Sequence, residues 1–178
     1  MIVGLVLAVA LQAPSVGAPL VAFDSACARL DGIDTMDSRL SESGWERFTA
    51  TQGSELSRVV AAIETAPAGI RVDTRIFKRA AQPDLVVLGS QVYASDGSGS
   101  IECQVLSESA VVPSLDQLRE WAGTAPTKVL KKNGILTWVW QSGRSADQPF
   151  LAVTYTPASA KRRFPGVGLS VRTVKFLS

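Results

Sequence analysis

Carboxylates are the groups best suited by type to acid–base chemistry in this sequence, because it contains no histidine. Without an imidazole there is no Ser-His-Asp or Cys-His arrangement and no histidine-ligated zinc or iron. The usual base titrating near neutrality is missing too. Two carboxylates can hydrolyse a glycan unaided when they stand about 5–9.5 Å apart across the bond. Glu102 with Glu108, and Glu42 with Glu46, are the available pairs, but nothing in their spacing sets them across a cleft. Asp24, Asp31, Asp34 and Asp37 form an acidic cluster of the kind a hard cation such as calcium favours. Their order does not follow an EF-hand loop, and the distant bidentate glutamate is missing. The cluster reads instead as a solvated helix start, where acids complement the helix dipole. No Walker-type phosphate loop, dinucleotide fingerprint, nucleophile elbow or Ser-x-x-Lys motif occurs. The expectation is no metal, no cofactor and no assignable catalytic residue.

Two binding features remain. Trp138 and Trp140 alternate on one face of a predicted strand beside Lys131 and Lys132, where they suit stacking on a sugar, a base or a peptide aromatic. Against that, Leu136, Trp138 and Trp140 make the more apolar face of the strand, which is how a core reads. The second feature is charge. From Trp121 to the end there are nine cations and a single acid, so the other 120 residues carry a net −6. Lys131 and Lys132 sit in a hairpin, and Lys161, Arg162 and Arg163 in a Pro/Gly loop. Both groups are candidates to face an anionic envelope component or an acidic protein, although solvated turns carry the same residues.

The compartment follows from the N-terminus and the cysteines. Met1 to Phe23 has no charged side chain, and Ile2–Leu11 is a ten-residue apolar run followed by Pro14, Gly17 and Pro19. That is the layout of a secretory signal peptide over residues 1–22, with cleavage after Ala18 or Ala22. It is too short for a spanning helix, so a membrane would be met only through an uncleaved leader. Export to a periplasmic or secreted space makes a Cys27–Cys103 disulfide the expected state of the two cysteines. Intracellular nucleic acid is then an improbable partner.

The elements that must position these groups are read from periodicity. Asp24–Leu30 and Thr35–Leu40 read as short helices. Gln52–Thr65 is a better one, with Leu56, Val59, Val60 and Ile63 on a face, and Leu115–Ala122 follows Ser114 as N-cap. Strands are expected at Ile70–Lys78, Leu85–Ala94, Ser100–Ser107, Thr127–Lys132, Ile135–Gln141, Pro149–Thr156 and Gly168–Leu177, with Asn133-Gly134 the strongest hairpin signal. Turns rather than helical crossovers join them, so the sheet should be antiparallel. The predicted fold is a single α+β domain over residues 23–178, with an antiparallel sheet of about six to seven strands and helices on one face. Thr65-Ala66-Pro67 and Thr124-Ala125-Pro126 lie 59 residues apart after the two longer helices, which raises the idea of two helix–meander halves. The functional expectation is an exported, non-catalytic binding or accessory domain with a basic C-terminal region. The alternatives are a histidine-free carboxylate hydrolase of envelope glycan or peptide, and a structural module that pairs through an edge strand, with Gly168–Ser178 as the candidate edge.

Overall fold

The computed structural model describes residues 17–108, 111–144, 148–160 and 164–176. The chain enters through α1 (Gly17–Ala26), with Pro19 in the first turn, where a missing N–H costs nothing. This helix buries Leu20, Ala22, Phe23 and Ala26, and Cys27 closes it by donating its N–H to the Phe23 carbonyl at 2.8 Å. The predicted helix at Asp24–Leu30 is thus displaced toward the N-terminus, and residues 17–22, assigned above to the leader, take part in the core. Apolar residues of a leader and of a core helix have the same composition; only the packing partner separates them. Residues 1–16, with the apolar run, lie outside the described residues.

Next come α2 (Ile33–Glu42), a two-residue strand β1 (Glu46–Arg47) and α3 (Glu55–Glu64). The Ser54 hydroxyl caps α3, accepting from the Ser57 N–H at 3.1 Å. A meander follows of β2 (Ile70–Arg79), β3 (Gln82–Ala94) and β4 (Ser98–Ser107), then α4 (Leu115–Ala122). A capping box starts α4: Gln117 N–H donates to Ser114 Oγ at 3.2 Å, and Ser114 N–H donates to Gln117 Oε1 at 2.9 Å. The last four strands are β5 (Lys128–Lys132), β6 (Ile135–Trp140), β7 (Phe150–Thr156) and β8 (Gly166–Phe176).

Among the described residues eight strands join one antiparallel sheet in the order β1-β2-β3-β4-β8-β7-β6-β5. The α+β class holds, with one strand more than predicted: β1 is too short to show alternation. β8 lies at the centre, hydrogen-bonded to β4 and to β7. Over its described residues, Gly168–Phe176, the candidate edge is therefore central, and among the described residues the edges are β1 and β5.

The helices lie on both faces rather than on one. Phe77, Val87, Cys103, Val105, Trp138, Trp140, Leu151 and Leu169 pack in one core with α1, α2 and α4. Ile76, Val86 and Leu106, their neighbours on the opposite face, pack with Leu56 of α3. The physical reason is visible in Leu85-Val86-Val87-Leu88, a run apolar at every position, which needs cover on both sides. The 59-residue offset carries Ile70, at the start of β2, onto Val129 in β5, the first strand after each longer helix, although α3 and α4 pack on opposite faces of the sheet.

Two contacts fasten the first half. The Cys27–Cys103 disulfide, Cα–Cα 5.6 Å, ties the end of α1 to the inner face of β4. Both sulfurs' residues are fully buried. The bond closes a sequence separation of 76 residues, worth about 4.5 kcal/mol in the chain-entropy account. Gly89 of β3 opens a notch for α2, since a Cβ there would stand 1.7 Å from Met36 Cε.

Candidate functional site

The β5–β6 hairpin is built by its turn. Asn133 and Gly134 have φ of 52° and 79°, the left-handed pair that a two-residue hairpin requires. The register that follows sets Lys132 opposite Ile135, Leu130 opposite Thr137 and Lys128 opposite Val139. Trp138 and Trp140 point to the inner face and are 5% and 2% exposed. Trp140 Nε1–H donates to the Thr124 carbonyl at 3.1 Å. The pair is core, so neither indole offers a face for stacking; together they anchor β6, and β6 carries β5. Thr127 locks the base, donating from Oγ1 to the Val139 carbonyl at 2.8 Å and accepting from Gln141 N–H at 2.9 Å.

Among the described residues no strand lies beyond β5. All five of its residues are exposed, Val129 at 52% and Leu130 at 44%. Among the described residues none of Lys128, Lys131 and Lys132 has a carboxylate within ion-pair distance. Leu130, Lys131, Lys132, Asn133, Ser159 and Ala160 are among the residues lining a groove of about 700 Å³. Lys161, Arg162 and Arg163 lie outside the described residues.

Among the described residues most of the other cations are engaged. Arg47 holds Asp37 through Nε at 3.0 Å, and Arg75 reaches Asp37 at 3.3 Å, Asp73 at 3.6 Å and also Asp34. Arg58 pairs with Glu55, and Arg144 pairs with Asp24 while lying 4.5 Å over the Trp121 ring. Lys78 and Arg79 sit over Phe48 and Trp45. The acidic cluster is thus divided: Asp34 and Asp37 tie α2 to β1 and β2, and Asp24 ties α1 to α4 and the loop after β6. The Arg47 hydrogen bond, with both guanidinium charges, holds the Asp37 carboxyl below its ordinary range against some desolvation. Among the described residues no group of three or more metal-ligating side chains converges.

Neither candidate acid–base pair is set across a described groove. Glu102 and Glu108 are six residues apart along an extended chain, about 20 Å. Glu42 and Glu46 are both exposed. Glu102 is held protonated more readily than an ordinary glutamate: burial raises its pKa, opposed by the Gln104 amide donating at 2.9 Å and by the Arg172 charge. A second groove, about 390 Å³, runs between α3 and the outer face of the sheet, with Val59, Ile63, Leu106, Phe164 and Gly168 in its lining and no carboxylate. A third, beside β1 and α3, has Glu64 alone.

Compared with family models, curated proteins and solved structures, the chain has no significant match. Its reading rests on its own geometry. Of the residues singled out from sequence, Lys131 and Lys132 share the open edge, whereas Trp138 and Trp140 back it from inside. Lys128, Val129 and Leu130 are the members that sequence reasoning passed over. The signal was present: Lys128-Val129-Leu130-Lys131-Lys132 has no alternation, which is what a strand solvated on both faces looks like.

Proposed function

We propose that this chain is an exported, non-catalytic binding or accessory domain of the cell envelope or secreted space, which presents the β5–β6 hairpin to an anionic partner. The observation that carries the reading is a contrast in charge among the described residues: three exposed lysines on one edge strand have no counter-ion there, while the other cations are largely held by acids or aromatic rings. Unneutralised charge on one margin steers and holds a partner of opposite sign.

Export is supported by the buried disulfide, which persists in oxidising compartments. Among the described residues no helix is long and apolar enough to cross a membrane. Leader removal after Ala18 suits the fold better than removal after Ala22, because the later cut would take Leu20 and Ala22 out of the core. The test is a pull-down from an envelope extract using the chain that starts at Pro19. Retention should fall steeply between low and moderate salt, as exposed charge pairs are screened, and should be lost in Lys128→Glu/Lys131→Glu/Lys132→Glu. Retention unchanged by salt and by the triple substitution would refute the proposal.

A further inference from the structure

We propose that the free edge of β5 accepts an acidic, extended peptide segment as an additional antiparallel strand. The inference rests on the anionic-partner reading and specifies its chemistry: the partner is a polypeptide, bound through backbone as well as charge.

The hairpin decides which backbone groups are available. In a two-residue hairpin the residues flanking the turn form a hydrogen-bonded pair, and pairs alternate from there. Lys132 with Ile135, Leu130 with Thr137 and Lys128 with Val139 therefore spend their N–H and C=O groups inside the hairpin. Val129 and Lys131 turn theirs outward. Among the described residues no strand satisfies them, and no proline or bulge interrupts the edge. An incoming strand meets a short ladder flanked by side chains on both faces: Lys128, Leu130 and Lys132 on the outer face, Val129 and Lys131 on the inner.

Those side chains select the occupant. Lysines on an edge strand discourage pairing with another strand of like charge. Two copies of β5 paired antiparallel in full overlap would set Lys128 of one against Lys132 of the other at both ends, which is destabilising. Self-association is disfavoured, and the same residues favour a strand carrying acids. Read antiparallel, the complementary segment has acids opposite Lys132 and Lys131, aliphatic residues opposite Leu130 and Val129, and an acid opposite Lys128. Its core is Glu-Glu-Val-Val-Glu. Opposite charges and aliphatic pairs directly across a ladder are the favourable cross-strand combinations, and adding a strand to an exposed edge is an established mode of peptide capture.

The probe is a fluorescent peptide with that core, titrated into the chain starting at Pro19 and followed by anisotropy and amide hydrogen exchange. A second peptide carries N-methyl groups on its second and fourth core residues, those opposite Lys131 and Val129. It keeps every charge and removes the ladder. A third has lysine in place of each glutamate. The proposal expects the first peptide to bind and to slow exchange at the Val129 and Lys131 amides. The N-methylated form should bind at least tenfold more weakly, the order of two lost hydrogen bonds, and the lysine form should not bind. Equal binding of the first two peptides would overturn strand addition while leaving an anionic partner intact. Binding of the lysine form, or no binding by the first peptide, would overturn the inference as well. Because the envelope pull-down does not involve these peptides, its failure is read separately.

Discussion

At one margin of the sheet β1 contributes two residues, with Arg47 held by Asp37 and the flanking Trp45 and Phe48 lying under Arg79 and Lys78. At the other margin β5 contributes five exposed residues, three of them lysines with no acid nearby among the described residues. From each edge four strands run inward in chain order, so the difference lies in how each edge is finished. β1 is closed by brevity and by internal neutralisation; β5 is left flat and charged. A cation that satisfies a carboxylate within the fold does structural work, whereas one that has none keeps its field for a partner.

If the first half is the fastened one, its ties should be costly to cut and should leave β5 untouched. Cys27→Ala/Cys103→Ala should destabilise by about 4.5 kcal/mol, from the loop it closes, measured by urea unfolding. Binding at the hairpin should persist in the folded fraction. Arg75→Met removes the guanidinium between Asp34, Asp37 and Asp73. It should cost about 2 kcal/mol, less than a fully buried pair because Asp34 and Asp73 stay largely in water. The same unfolding assay would show the comparison broken if the loss were negligible.

The sheet centre should respond to pH in the sense set by Glu102. Its folded pKa is raised by burial, so relative to the unfolded chain it adds stability below the ordinary glutamate pKa and loses it as pH rises through the folded value. Glu102→Gln should therefore stabilise at pH 7, on the order of 1 kcal/mol, and the gain should shrink as acid protonates the wild-type carboxyl. Asp37 has the opposite sign: lowered in the folded state, it contributes above the unfolded pKa and loses that contribution as pH falls through its own. Unfolding curves over pH 3 to 8 separate the two. Smallest of all, Lys131→Gln/Lys132→Gln should change stability by no more than about 0.5 kcal/mol, because both side chains are exposed.

Much of this architecture was legible because its signals are local. Asn133-Gly134 specifies a hairpin, Ser114 and Gln117 a helix start, and alternation places Cys103 on an inner face. What failed was non-local. A helix stripe such as Leu56, Val59, Val60 and Ile63 says that α3 has a buried side, not which face of the sheet it meets. Alternation in β8 marks a strand, not its neighbours, and does not separate a central strand from an edge. The candidate site was half legible for the same reason: lysine content is visible in sequence, but whether a lysine has a counter-ion depends on residues far away in the chain.

The most direct test sets the two margins side by side. Binding of envelope material by Arg47→Gln/Lys78→Gln should equal wild type at low salt, whereas Lys131→Gln/Lys132→Gln should bind about tenfold more weakly and with a shallower salt dependence. Equal losses at both margins, or no loss at β5, would contradict the claim that the unpaired lysines of that strand form the binding surface.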